Sequence, residues 1–353
     1  MTTRVAGFAP PFRYCNLQFL TVNNFVHTRG RSPRHLLLHG STDRSDMLGP
    51  SIWPRQGLPL LVVSWSTLLL LAVVSQTQTR GHENPIAYDA SSAAPPLLIV
   101  ITGCTLGLGR GLAEAYRAMG HVVACCGRRE QELRELRASF GAPHLFSEVD
   151  VTEEAEVQRF AAEVRSSLGL PDAVIANAGV GVAFGPLWEV PSDAFRQVFD
   201  VNVVGIFLTI KHFAPLLLEG ARADAASATM APPRRLITLS SGKGHSSSPT
   251  MGAYSASKWA VEALTKSVAE SVRDAGLAER LVVVPFAPGL VQTALSRFNP
   301  RFHPLAEWAP RAAPFLLSLG VADSGASMSL PGFYPAADVA ATWVLPDGMP
   351  LPS

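Results

Sequence analysis

LLIVITGCTLGLG, residues 97 to 109, decides how this chain folds. LLIVIT (97–102) is an unbroken run of mostly branched apolar residues, the pattern of a strand buried on both faces. Glycines follow at 103, 107 and 109, and then RGLAEAYRAMG (110–120), a helical stretch that ends at Gly120. A glycine-rich turn between a strand and a helix lets the backbone approach a pyrophosphate closely, and the helix N-terminus supplies N–H donors and partial positive charge. The same turn without a ligand would be a tight strand-to-helix connection. Its place after a strand and before a helix favours the phosphate reading.

The pattern repeats outward from there. HVVACC (121–126), HLFSEV (144–149), DAVIA (172–176), RLITLS (235–240) and RLVVVPF (280–286) read as further strands, separated by helical stretches such as EEAEVQRFAAEVRSSL and DAFRQVFDVNVVGIFLTIKHFAPLLLEG. Strict strand–helix alternation requires right-handed crossovers, so the expected fold class is α/β: a single Rossmann-type, doubly wound parallel sheet flanked by helices over residues 97–332. An Ala/Pro-rich loop is expected over 221–234, and 333–353 reads as a C-terminal tail. The segment 294–319, rich in Phe, Trp and Pro, follows the last strand; by position it should cover a substrate, although its aromatics could equally pack into the core.

Two further places carry chemistry. At the end of the second strand, where an NAD binder usually places Asp or Glu against the ribose 2′-hydroxyl, the chain has Gly127 and then Arg128 and Arg129. A guanidinium attracts a 2′-phosphate that a carboxylate would repel, so the expected cofactor is NADP(H). Downstream, Ser241 precedes Tyr254 by 13 positions, and Lys258 follows the tyrosine by four. On a helix that spacing puts Tyr254 and Lys258 on one face, one turn apart. An ammonium beside a phenol favours the phenolate, so the tyrosine's pKa is expected to fall toward working pH. Such a tyrosine can pass a proton to or from a carbonyl or alcohol oxygen that a serine hydroxyl holds in place. His245, four residues after Ser241, reads as a loop residue, since Tyr254 already fills the acid–base role.

Taken together these residues resemble the classical short-chain dehydrogenase/reductase family, over roughly Leu97 to Pro331. TGCTLGLG (102–109) resembles its cofactor motif, which implies contacts from Gly103, Thr105, Leu106, Gly107 and Gly109. Asp150 and Val151 resemble the pair that contacts the adenine. Ala176-Asn177-Ala178-Gly179 resembles an N-N-A-G motif, with Ala176 departing at its first position. Asn202 matches the helix asparagine of the catalytic tetrad, with Ser241, Tyr254 and Lys258 as the other members. Pro288, Gly289, Val291 and Thr293 fall in a P-G-x-x-x-T stretch that the resemblance places at the nicotinamide end. Narrower likenesses in WEVPS (188–192), KHFAPLLL (211–218), SASKWAVEAL (255–264) and SGASMSL (324–330) are similar to plant-type NADPH-dependent pterin aldehyde reductases.

The resemblance implies reversible hydride transfer between NADP(H) and a carbonyl or alcohol carbon, as in an aldehyde or ketone reductase. Tyr254 would be the general acid–base, Lys258 would tune it and bond the nicotinamide ribose, Ser241 would position the substrate oxygen, and Asn202 would hold a relay water. It also implies a homodimer or homotetramer. A non-catalytic NADP-binding sensor on the same fold would lack the tyrosine or the lysine. An extended-type epimerase or dehydratase would need glycine where this chain has Leu106.

Composition narrows the remaining classes. Of 353 residues 16% are charged, with a net charge of +1, which gives no electrostatic case for a nucleic-acid partner. Cys15, Cys104, Cys125 and Cys126 form neither a disulfide framework nor a metal-binding spacing, so no metal site is expected and the cysteines read as small apolar residues.

Residues 1–56 hold seven arginines, no lysine and two acids, and read as a disordered or targeting leader. LPLLVVSWSTLLLLAVVS (58–75), inside an apolar segment 57–76, carries no charge and is long enough to span a bilayer. A membrane anchor, a signal-peptide core starting from Met47 and part of an organelle-targeting peptide are the competing readings. Each points to a membrane or organelle, such as the endoplasmic reticulum, rather than the cytosol. The excess of arginine before the run would keep the N-terminal side cytosolic, whereas many relatives of this family act from the cytosolic face. Residues 77–96, polar and proline-ended, read as a linker.

Overall fold

The computed structural model describes residues 95–181, 184–227, 231–296 and 299–333. The leader, the apolar run 58–75, nearly all of the linker, Cys15 and all of the tail beyond Phe333 lie outside the described residues. Seven strands form one parallel sheet: β1 (Leu98–Thr102), β2 (Val122–Gly127), β3 (Leu145–Glu148), β4 (Ala173–Ala176), β5 (Arg234–Leu239), β6 (Leu281–Ala287) and β7 (Met328–Ser329). Their spatial order is β3-β2-β1-β4-β5-β6-β7. The chain winds outward from β1 to β3, then returns to start β4 on the other side of β1. Connections therefore diverge above the C-terminal ends of β1 and β4, where open α/β sheets hold ligands.

The helices are α1 (Gly107–Ala118), α2 (Glu130–Phe140), α3 (Glu154–Ser167), α4 (Ser192–Phe199), α5 (Gly205–Ala226), α6 (Gly252–Asp274) and α7 (Leu305–Ser318). Strand residues alternate between two cores, as a sheet covered on both faces requires. Ile99 and Ile101 of β1 face one core with Leu112 and Tyr116 of α1, Leu133 and Leu136 of α2, and Trp308 and Leu316 of α7. Leu98 and Val100 face the other, with Phe160 of α3, Phe213 of α5 and Val261 of α6. Phe160 and Phe213 meet edge to face, with centroids 5.6 Å apart. Cys104, Cys125 and Cys126 are buried free thiols, used as small core residues.

Three local expectations are revised. β7, only two residues long, is too short for a strand signal. The loop expected from residue 221 begins later, because α5 runs on to Ala226; alanine is a strong helix former, so an Ala-rich stretch continues the helix. The segment 294–319 divides in two: α7 packs Trp308, Ala309, Ala312, Ala313 and Leu316 into the core, and only its first part approaches the cavity described below. Separately, α4 and α5 run together through a π-helical turn, Asp200–Val204, as one helix Ser192–Ala226. Its mean hydropathy reaches 1.7 over a membrane-length window, but half of that window is buried inside the domain, as a core helix requires.

Candidate active site

A cavity of about 740 Å³ opens at the C-terminal ends of the strands, above the point where β1 and β4 diverge. Its floor is the turn after β1. Gly103 adopts φ +73°, and a Cβ there would sit 2.8 Å from the Cα of Ala178. The turn is fixed to β2 because the N–H groups of Gly103 and Cys104 both donate to the Cys126 carbonyl, at 2.8 and 3.0 Å. Gly109 does not line the cavity. It lets α1 pack closely, since a Cβ would collide with the Gly103 carbonyl and lie 2.5 Å from Asn177 Nδ2. Asn177 in turn donates from Nδ2 to the carbonyls of Thr102 and Gly103, both at 2.9 Å. The N–H groups of Asn177 and Ala178 donate to Thr102 Oγ1.

Leu106 is the N-cap of α1 and supplies no side-chain acceptor, and the first turn carries no acid. The first N–H groups of a 12-residue helix are thus left without a side-chain cap beside the cavity, the arrangement an anionic ligand satisfies. Thr105, Leu106 and Gly107 line this end. At the rim, Arg128 Nη1 lies 3.2 Å from Asp150 Oδ2, and Arg129 Nη1 lies 3.4 Å from Glu132. Burial raises the Asp150 carboxyl, but hydrogen bonds from the Thr152 N–H and hydroxyl and from Arg128 outweigh it and hold its pKa below the ordinary value. Gly127 leaves room for Thr105, whose Cγ2 would be 2.7 Å from a Cβ there. The donor set and the cleared backbone fit a dinucleotide.

The opposite end is built from β5 and α6. Ser241 follows β5 in extended backbone and caps the one-turn 3₁₀ helix Gly242–Gly244, its Oγ accepting from the Lys243 N–H at 3.2 Å. Tyr254 sits in the first turn of α6 and Lys258 one turn later, both buried. Lys258 Nζ donates to the Leu239 carbonyl at 2.7 Å, tying α6 to the end of β5, and lies 5.7 Å from the centroid of the Tyr254 ring. Burial pushes the Lys258 ammonium down to about 8.

The expected fall of the Tyr254 pKa is corrected here. Burial pushes the phenol up, and a hydrogen bond with the Ser241 hydroxyl draws it back only in part. Desolvation outweighs that hydrogen bond, so the phenol holds its proton.

Asn202 does not line the cavity either. It lies fully buried in the π turn, its Oδ1 accepting from the Val180 N–H at 2.7 Å and its Nδ2 donating to the Val180 carbonyl and to Ser257 Oγ at 3.0 and 3.1 Å. π turns recur at functional sites because they re-aim a side chain within a helix. Here the turn fixes the loop after β4 to α6. A Cβ on Gly179 would lie 3.3 Å from Asn202 Oδ1 and 3.7 Å from Lys258 Nζ, so the two tetrad members flank the same glycine. Val151, Asn177, Ala178, Gly179, Pro288, Gly289, Val291 and Thr293 all line the cavity. Trp308 Nε1 donates to the Pro288 carbonyl at 2.9 Å, so α7 secures this wall from the core side.

Sequence reasoning missed several residues. Lys243 and Met251 also line the cavity, whereas Leu295 and Phe302, which line it too, belong to the segment 294–319 expected to cover a substrate. Behind the serine, buried Glu262 accepts from Ser240 and Ser327, both at 2.5 Å, and its Oε1 lies 3.1 Å from His245 Nε2. His245 is therefore the partner of a structural carboxylate. Glu262 lies one helical turn after Lys258, a spacing that could have marked it, but only the fold brings it to Ser240.

The comparisons agree with this geometry. The short chain dehydrogenase family model matches residues 97–302. An NADPH-dependent pterin aldehyde reductase of Arabidopsis thaliana is 32% identical over 256 residues, 70% of this chain and 98% of that protein. The 2-dehydro-3-deoxy-L-rhamnonate dehydrogenase (NAD(+)) of a Sphingomonas strain is 32% identical over 178 residues, 50% of this chain and 67% of the other. Among solved structures, a short chain dehydrogenase from Escherichia coli CFT073 complexed with NADPH is 25% identical, with a TM-score of 0.56 over 66% of this chain and 95% of that one. An alcohol dehydrogenase from Thermococcus sibiricus complexed with 5-hydroxy-NADP is 25% identical, with a TM-score of 0.57 over 69% and 99%. With a family model matched across more than half of the chain and a relative 32% identical over 98% of its length, this chain belongs to the short-chain dehydrogenase/reductase family.

Proposed function

We propose that the protein is an NADP(H)-dependent oxidoreductase that reduces an aldehyde or ketone carbonyl, with the reverse oxidation open to the same site. The observation that carries this reading is the buried Tyr254 and Lys258 beside Ser241 in one cavity whose far end offers an uncapped helix N-terminus and two arginines. Bound there, NADP(H) supplies or accepts the hydride. The α1 N-terminus would hold its pyrophosphate, Arg128 and Arg129 its 2′-phosphate, and Asp150 and Val151 its adenine. Pro288, Gly289, Val291 and Thr293 would face its nicotinamide end. Tyr254, kept protonated by burial, is set to give its phenolic proton to the substrate oxygen, which the Ser241 hydroxyl positions. Lys258 stands behind the phenol as an ammonium that favours the phenolate left by that transfer. Asn202 holds the loop and helix in register, and the water relay to Lys258 is carried over from the family.

The similarity to an aldehyde reductase over 98% of that protein's length supports an aldehyde as substrate. Exposed Phe207 on α5 and Trp259 on α6 support self-association. Residues 58–75 are read as a membrane anchor.

The deciding experiment is Tyr254→Phe. Turnover should fall by roughly 10²- to 10⁴-fold, the share of general acid catalysis, while NADPH still binds. Near-normal turnover in the folded variant would sink the assignment.

A further inference from the structure

We infer that the carbonyl substrate carries an anionic group, a carboxylate or a phosphate, and that Lys243 binds it; this deepens the reductase reading above and rests on it. Lys243 lies two residues beyond Ser241, and its own backbone N–H donates to Ser241 Oγ. Its place is therefore locked to the hydroxyl that holds the reacting oxygen. Lys243 lines the same cavity as Ser241, Tyr254 and Lys258, which apolar Met251, Leu295 and Phe302 also line. Lys243 is half-buried, and a charge partly withdrawn from water without a counter-charge is unfavourable.

The described residues give it no counter-charge. Lys243 Nζ donates to the Ser247 carbonyl at 3.3 Å, and an ammonium carries three donors, so most of its capacity is left over. Every ion pair of the nearby acids goes elsewhere. Glu262, the buried carboxylate behind this loop, is engaged by Ser240, Ser327, His245 and Lys266. Asp150, the acid that lines the cavity, belongs to the rim at the end of β3 and pairs with Arg128. Partial burial lowers the Lys243 pKa for the same reason: water has been removed and no anion replaces it. The pyrophosphate of a dinucleotide does not fill the gap. Its cradle is the α1 N-terminus after β1, whereas Lys243 follows β5 beside the proton-transfer groups. The anion that meets this ammonium therefore arrives on the substrate, held by a charge-assisted hydrogen bond.

Three probe aldehydes of matched shape test this in the purified full chain, followed by loss of NADPH absorbance: para-carboxybenzaldehyde, para-formylphenyl phosphate and the neutral methyl para-formylbenzoate. The wild type should favour at least one anionic probe over the neutral ester by roughly tenfold or more in kcat/KM, expressed mainly in KM, as a hydrogen bond to a charged group predicts. Preference for only one of the two anionic probes tells carboxylate from phosphate. Lys243→Met should collapse the ratio toward one, and Lys243→Arg should restore most of it. Equal use of charged and neutral probes by the wild type overturns the inference while leaving the reductase reading intact, as does a preference that survives in Lys243→Met. Should the Met variant not fold, the wild-type ratio and Lys243→Gln decide in its place. Turnover of none of the three by the wild type overturns this inference together with the reading beneath it.

Discussion

Replacing Lys258 by methionine should abolish turnover and stabilise the fold at neutral pH. The side chain is 4% exposed, and its ammonium is pushed from the ordinary 10.5 down to about 8 by burial. The folded state therefore binds the proton less well than the unfolded chain. Below pH 8 both states carry it, and the fold bears the full penalty. Between about 8 and 10.5 the unfolded chain holds more protons, so stability rises with pH, and above 10.5 the penalty is gone. Each tenfold change in proton affinity corresponds to about 1.4 kcal/mol, so the charged lysine destabilises the fold by about 3 kcal/mol at pH 7 and by roughly half that at pH 9.5.

Methionine removes that penalty and also the 2.7 Å hydrogen bond from the ammonium to the Leu239 carbonyl; losing a charged donor from a buried carbonyl costs about 2 kcal/mol. The net gain is about 1 kcal/mol at pH 7 and close to zero at pH 9.5. In a domain of this size that is a rise of about 3 °C in Tm at pH 7. Urea unfolding of both proteins at the two pH values reads it directly. A variant less stable than wild type at pH 7, or a difference that does not shrink by pH 9.5, would refute the argument that Lys258 is held in place at the expense of stability.

Two other outcomes follow from the site and the leader. Arg128→Ala should lower kcat/KM with NADPH by roughly tenfold to a hundredfold while affecting NADH little, because only NADPH carries the 2′-phosphate; an unmoved cofactor ratio would place that phosphate elsewhere. Carbonate extraction of membranes should leave the full chain in the pellet and release a form lacking residues 1–80; equal release of both would remove the anchor reading of residues 58–75.

The strands were legible because nearly every one is buried on both faces, and such strands announce themselves as continuous apolar runs: LVVVPFA in β6 has every residue buried. The cofactor end was legible for a related reason. Glycine is required where backbone meets backbone, as at Gly103 against Ala178, and a required glycine is visible in a sequence. Function carried by side chains that meet only through the fold was not. Lys243 reads as a loop lysine until Ser241 and Tyr254 are seen in the same wall. In segment 294–319 the sequence left both a substrate cover and core packing open for the aromatics, and only the fold shows Trp308 buried with its indole N–H bonded to the Pro288 carbonyl.

The instructive error concerns Tyr254. Four-residue spacing on a helix correctly brings a phenol and an ammonium to one face, and in water that proximity would lower the phenol's pKa. Spacing carries no information on burial, and burial acts on the two groups in the same sense: each is pushed toward its neutral form, the phenol up and the ammonium down to about 8. The Ser241 hydroxyl, 13 positions away in sequence, draws the phenol's pKa back down only in part. A tyrosine that keeps its proton until a substrate oxygen is positioned beside it suits reduction, where the proton must be given. Oxidation needs the phenolate first, so the same burial that holds the acid ready should make the alcohol-to-carbonyl direction require higher pH. A rate of alcohol oxidation that climbs with pH, while carbonyl reduction falls, is the behaviour this arrangement of Ser241, Tyr254 and Lys258 dictates.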